Sequence, residues 1–359
     1  MKLDDAIAQV RDECDNYIQT VQALKALANE LLWDEAQQRL VADGKAYFGR
    51  KMDTSSANRI SPDAQVTPDL LVLRSQNANY YVVEGKLALS KDPAKREAKL
   101  IEIQKYDDDF RGWDGSQGRV ASHDIILLVR FFHGVNVRNQ IAQLRADKKM
   151  MFERNFAVVT FHRVVETETW MSLELLDGIL RPKEKQEKLA RRDKPIRLDL
   201  LVANPQFGHV KLYDAPPPAP LLMDQIHETI LATLPPEDNL QLMEEGKVER
   251  EMDLGVLRDM VSESFGPSGG DDRTPDIPKQ DWVRHAMVLF AKLGWAKQVG
   301  RSKYVYEVRQ RRNPFDQFVK LRAREVSKTA EMRAKVLAKE KEKYPLFQHL
   351  IESNKPSKT

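Results

Sequence analysis

The chain has 359 residues, room for two or three domains and a sizeable core. It is 42% hydrophobic and 31% charged, and 57 basic against 54 acidic residues leave a formal charge of +3, too balanced to argue for nucleic acid by itself. The longest apolar runs, such as Ile125–Val129, are far too short to cross a bilayer, and the first residues carry acids where a secretory signal carries an apolar stretch, so a cytoplasmic protein without a membrane partner is expected. Cys14 is the single cysteine, which rules out a disulfide within the chain and fits a reducing compartment.

Apolar positions Ile7, Val10, Ile18, Val21, Leu24, Leu27, Leu31 and Leu32 recur at helical spacing and predict a helix over 3–43, stopped by Asp43-Gly44. A short extended or loop segment at Tyr47-Phe48-Gly49 and a polar loop over 50–65 follow. Thr67–Leu73 and Tyr80–Leu89 read as strands joined by the turn-like 75–79. Pro93–Phe110 returns to helix, with proline near the first turn. Ile125–Phe132 and Phe156–Phe161 are apolar throughout, as in strands buried on both faces, with a helix over 135–144 between them. These elements make a small α/β domain over 1–165.

Over 166–214 strand-like pieces at Trp170–Leu175, Ile196–Val202 and His209–Tyr213 flank a charged segment, and either extend the first sheet or form a lobe of their own. Residues 215–220, Ala-Pro-Pro-Pro-Ala-Pro, are a stiff linker. Beyond it, helices at Leu221–Leu234, Leu254–Phe265 and Gln280–Leu293 precede two short strands around the basic turn Gly300-Arg301-Ser302-Lys303, which describes a winged-helix-like domain over 221–310. Its predicted nucleic-acid contacts are Arg284 and Lys292 on the helix before the hairpin and Arg301 and Lys303 at the tip, the helix set in a groove and the wing on phosphate. A basic helical tail over 311–359 carries most of twelve Lys or Arg against five acids within 309–343, whereas 237–272 is mostly acidic.

Thr67-Pro68-Asp69 opening one strand and Glu84-Gly85-Lys86 on the next, after fourteen intervening residues, resemble the PD-(D/E)xK nuclease superfamily. Side chains alternate faces along a strand, so Glu84 and Lys86 point one way and Asp69 can meet them from the neighbouring strand. Two converging carboxylates favour a hard cation between them. The resemblance covers roughly residues 20–165. It implies a restriction-endonuclease-like mixed sheet flanked by helices, and Mg²⁺ or Mn²⁺ held by Asp69 and Glu84, with Lys86 beside the attacking water. A third acidic ligand from the first helix is Glu30, with Glu35 as its rival, and a glutamine on the helix after the lysine strand is Gln104. The implied activity is endonucleolytic cleavage of DNA before RNA, in restriction, phage defence, transposition or repair, by a homodimer or within a larger complex.

Each residue also has a plainer reading. Glu84 and Lys86 can be an ion pair at a strand end, Asp69 a turn cap after proline, Gln104, Glu30 and Glu35 solvated helix positions. His123, His133 and His162 lie near strand ends without metal-ligand spacing, though His123-Asp124 could reach the rim of the site, and Cys14 reads as a buried helix thiol. A non-catalytic DNA- or protein-binding adaptor, using the winged helix on an inactive nuclease-like scaffold, is the alternative, and an RNA-cleaving enzyme on the same core is a third reading.

Overall fold

A strand paired on both sides needs apolar residues on both faces, and Ile125 through Val129 supply them without a break. In the computed structural model they lie near the middle of a seven-stranded mixed sheet. The structure describes residues 1–34, 36–54, 65–74, 79–86, 92–111, 122–164, 169–191, 195–267, 277–309 and 314–343; of 79, 86, 111 and 337–343 it describes the backbone alone. The chain divides into two compact units. One, the sheet unit, holds the described residues of 16–217 and 252–284; the other holds those of 1–15, 218–251 and 285 onward. The chain passes between them at Pro217/Pro218, inside the predicted linker, and also after Asp15, Glu251 and Arg284.

The first helix, α1 (Leu3–Leu32), ends well before residue 43. Asp34 Oδ1 accepts from the amides of Ala36 and Gln37 at 2.9 and 3.1 Å, and Gln38 takes φ +51°, so β1 (Trp33–Asp34) turns back on β2 (Arg39–Leu40). Hydrogen bonds from an Asp side chain to the amides that follow it offer the backbone an alternative to helix, and here that alternative wins.

Next come β3 (Lys45–Phe48), β4 (Met52–Thr54), β5 (Gln65–Val66), β6 (Leu70–Arg74) and β7 (Asn79–Lys86). After them run α2 (Pro93–Ile101), a 3-10 turn (Glu102–Tyr106), β8 (Phe110–Arg111), β9 (Asp124–Arg130), α3 (Phe131–Ala146) and β10 (Phe156–Arg163). The unit continues with β11 (Trp170–Gly178), α4 (Lys183–Ala190), β12 (Ile196–Arg197) and α5 (Leu198–Leu201). The sheet order is β12-β11-β10-β9-β7-β6-β3, with β7, β9 and β10 parallel and the pairs outside them antiparallel. The segment after 165 therefore extends the first sheet. Only Ile196–Arg197 of the predicted 196–202 strand pairs, because α5 follows at once, and 209–213 is irregular. Residues 87–89 of the other predicted strand lie outside the described residues. One apolar core, including Leu71, Val82, Ile103, Leu127, Ile141 and Val158, packs the helices after β7 and β9 on the sheet.

After the linker come α6 (Ala219–Ala232), α7 (Pro236–Glu245) and β13 (Lys247–Asp253), and α8 (Leu254–Phe265) returns to the sheet unit. Then follow α9 (Gln280–Lys292), β14 (Ala296–Gln298), β15 (Lys303–Arg309) and α10 (Pro314–Lys343). The expected hairpin is real and gains a third strand, in the order β13-β15-β14. In the second unit Trp295, Phe290, Tyr306 and Phe318 pack as an aromatic cluster around His227, whose Nδ1 lies 2.9 Å from the Tyr306 hydroxyl. Among the described residues no helix is long and apolar enough to cross a membrane.

Candidate active site

The β6–β7 pair sets the site. Leu70 pairs with Val83, so continuing the antiparallel register brings Asp69 level with Glu84. The Asp69 carboxylate reaches across to β7, where Oδ2 accepts from the Gly85 amide at 2.7 Å. Glycine makes that approach easy. A Cβ at residue 85 would lie 3.3 Å from Asp69 Oδ2 and 3.5 Å from Thr20 Cγ2.

Glu84 is 8% exposed, and its Oε2 accepts from the Tyr106 hydroxyl at 2.6 Å. That phenol is held at its other end as well, since the Tyr106 carbonyl lies 2.8 Å from His123 Nε2. A carbonyl can only accept, so the shared proton sits on Nε2. Burial pushes the Tyr106 hydroxyl well above its ordinary range, and the charge of Glu84, then that of Asp69, pushes the same way. Tyr213 is raised by burial first and then by Asp69, Tyr17 and Glu84. Its ring lies 5.0 Å from that of Tyr17, whose hydroxyl accepts from the Tyr213 amide and donates to the Ala215 carbonyl, both at 3.2 Å. Two carboxylates thus act on the same two buried phenols, which stay neutral and act as donors or packing rather than as bases.

The other predicted residues fall as follows. Lys86 closes β7 opposite Val129, its side chain lying outside the described residues. Gln104 is not directed at the carboxylates. It donates to the Lys149 carbonyl at 3.1 Å and accepts from the Met151 amide at 2.7 Å. The helix gives way to a 3-10 turn after Ile101, and with three residues per turn Ile103 and Tyr106 share the buried side while Gln104 turns off it. Glu30 pairs with Lys188 at 2.7 Å near the C-terminal end of α1, and Glu35 lies outside the described residues. Among the described residues no group of three His, Cys, Asp or Glu is arranged to hold a metal.

His123 and Asp124 are buried supports. Burial, more than the nearby Arg154, pulls the His123 ring down to about 3, and Asp124 accepts from the amide and guanidinium of Arg181 and from Asn155. Cys14 is buried, with its thiol pushed up to about 12 by burial and then by Asp15 and Glu13, so it is no nucleophile. Of the predicted nucleic-acid contacts, Arg284 pairs with Asp281 at 2.7 Å, Lys303 with Glu251 at 2.9 Å, and Lys292 with Glu325. Arg301 is exposed in the turn between β14 and β15.

Tyr106, Tyr17 and Tyr213 were not singled out by the sequence as site residues. Only for Tyr106 was a signal present, its place within the segment 93–110 predicted to follow the lysine strand, two residues after Gln104. No family model, no curated protein and no solved structure matches the chain.

Proposed function

We propose that the chain is a divalent-metal-dependent phosphodiester hydrolase acting on nucleic acid, DNA before RNA, with Asp69 and Glu84 as its metal-holding carboxylates and Lys86 beside them. The observation that carries this reading is the Asp69 Oδ2–Gly85 amide hydrogen bond, which sets one carboxylate against the strand residue next to the other. The donor chemistry fits. Both groups offer hard carboxylate oxygens on neighbouring strands, and Mg²⁺ commonly takes one or two protein carboxylates and completes its shell with water and substrate phosphate. Once bound, the ion would polarise the scissile phosphate and lower the pKa of an attacking water. Asp69 is held in place by the Gly85 amide and Glu84 by Tyr106. Lys86 would neutralise charge gathering on the phosphate.

The element order around this pair supports a restriction-endonuclease-like arrangement. The strands β13, β14 and β15 with α8 and α9 follow the order of a winged helix. Three of its four proposed contacts would first exchange a surface ion pair for phosphate, a small cost of about 0–1 kcal/mol each.

Cleavage of labelled DNA and RNA in Mn²⁺ tests the reading. Asp69→Asn and Lys86→Ala should each abolish turnover while the thermal melt stays close to wild type, and Glu84→Gln should abolish it with some loss of stability from the weakened Tyr106 bond; turnover that survives in Asp69→Asn and Lys86→Ala ends it. The adaptor reading draws on one observation, that Gln104 and Glu30 are both committed to contacts of the scaffold. Binding of DNA without turnover, unchanged by Asp69→Asn, would establish that reading instead.

A further inference from the structure

Three buried tyrosines feel the charge of the candidate carboxylates, and two of their hydroxyls are committed within the chain. Tyr106 donates to Glu84 Oε2, while Tyr17 accepts from the Tyr213 amide and donates to the Ala215 carbonyl. The third, Tyr213, is 1% exposed, and among the described residues its hydroxyl has no hydrogen-bond partner. Partnerless polar atoms sealed from solvent occur elsewhere in the chain, Arg154 Nε among them, but the Tyr213 hydroxyl is not one of these. A phenol buried to this degree ordinarily finds a partner, so one left unmet at a charged site calls for an acceptor from outside the chain.

The ring is fixed where it is. Thr20 Cγ2 and Leu24 Cδ2 of α1 lie 3.5 and 3.9 Å from where a Cβ on Gly85 would stand, and Asp69 Oδ2 lies 3.3 Å from the same point. That face of α1 therefore rests on β7 beside both carboxylates. Tyr17, three residues before Thr20, shares the face, and its ring lies 5.0 Å from that of Tyr213. The amides of Lys211 and Leu212 donate to the Phe265 carbonyl at 2.9 and 3.2 Å, and Asp214 pairs with Lys279 at 2.9 Å, so the chain is pinned on both sides of Tyr213. Burial raises the Tyr213 hydroxyl most, and Asp69, Tyr17 and Glu84 push it the same way, which puts the phenol in the field of both acids.

We infer that the Tyr213 hydroxyl is a substrate-binding group of the Asp69–Glu84 site, donating its proton to a phosphate oxygen of the nucleic acid. A neutral phenol has one proton to give, and an anionic oxygen is the strongest acceptor it can meet. A hard cation held by the two carboxylates brings such an oxygen to the site, because Mg²⁺ completes its shell with substrate phosphate. The cation itself is the poorer partner, since burial and two nearby acids keep this phenol from ionising. The inference rests on the hydrolase reading for the identity of the anion.

Tyr213→Phe is the test, because it removes an oxygen that the fold does not use. Its thermal melt should equal or exceed that of wild type, and its Mn²⁺ affinity by calorimetry should be unchanged. Affinity for labelled DNA and RNA oligonucleotides is read by fluorescence anisotropy in Ca²⁺, and kcat/KM for their cleavage in Mn²⁺. For the nucleic acid that wild type prefers, kcat/KM should fall about tenfold or more, as expected for a hydrogen bond to a charged group. Oligonucleotide affinity and kcat/KM both unchanged in Tyr213→Phe overturn the inference. Weakened Mn²⁺ binding does so too, since the phenol would then serve the metal, as does a melt well below wild type, since the hydroxyl would then have a partner within the fold. A wild type that binds oligonucleotides more tightly than Tyr213→Phe yet never cuts them defeats the hydrolase reading alone. A wild type that binds neither DNA nor RNA overturns both.

Discussion

Tyr106 donates its hydroxyl proton to Glu84 Oε2 at 2.6 Å from a fully buried ring, while the carbonyl of the same residue is held by His123. A buried carboxylate is tolerated when donors satisfy it, and a phenol kept neutral is such a donor. Tyr106→Phe should therefore cost about 1.5–3 kcal/mol in urea denaturation, the range for a hydrogen bond to a charged group. In a double-mutant cycle with Glu84→Gln the two losses should be far from additive. Additive losses would show that the bond contributes nothing of its own.

Gly85 is constrained by contact and not by backbone conformation. A methyl group there would press on the Asp69 carboxylate at 3.3 Å and on Thr20 at 3.5 Å. Gly85→Ala should cost about 1–3 kcal/mol by crowding and should weaken Mn²⁺ binding measured by calorimetry. Unchanged metal binding together with unchanged stability would show that Asp69 does not need this approach to the strand.

Lys185 is 1% exposed on α4 and donates to the carbonyls of Glu30, at 2.8 Å, and Trp33. These carbonyls lie at and just past the end of α1, where no further helical turn can donate to them. Lys185→Met should cost about 2 kcal/mol or more, since it leaves buried acceptors unmet. Lys188→Ala, which removes only the partly exposed partner of Glu30, should cost about 1 kcal/mol or less. Equal losses for the two variants would contradict the capping role.

Each unit carries a buried histidine whose folded-state pKa lies below the ordinary value of 6.5, His123 at about 3 and His227 at about 4, in both cases chiefly through burial. The unfolded chain then binds the proton more readily, so the stability these rings give is present above pH 6.5 and is lost as pH falls towards their folded values. Between pH 6 and 4 each should contribute a slope of up to about 1.4 kcal/mol per pH unit, falling to about half of that for His227 near pH 4. Denaturation midpoints across that range, compared with His123→Phe for the sheet unit, check this; a flat profile in wild type would mean that the rings are already charged in the folded state.

The alternation of strand residues, the unbroken apolar run at 125–129 and the proline-rich segment at 215–220 were enough to place β9, the β6–β7 pair and one crossing between the units. They also placed Asp69 and Glu84 at one level, because register in a hairpin follows from sequence separation once the strands are known. Less legible were the early end of α1, set by the Asp34 side chain competing for backbone amides, and the change from α to 3-10 geometry after Ile101. That change decides which of Gln104 and Tyr106 meets the acids, and no spacing rule distinguishes three residues per turn from 3.6 over so short a segment.

Local periodicity by itself determined the strands, their apolar faces and the two carboxylates at one end of them, since each of these depends on residues close in the chain. Tertiary structure alone decided that Glu84 meets Tyr106, that Glu30 meets Lys188, and that Arg130 and Arg163 rest on amides of α1. Those contacts join residues far apart in sequence, and which donor reaches a buried carboxylate depends on the packing of helices on the sheet, a property that no window of the sequence contains.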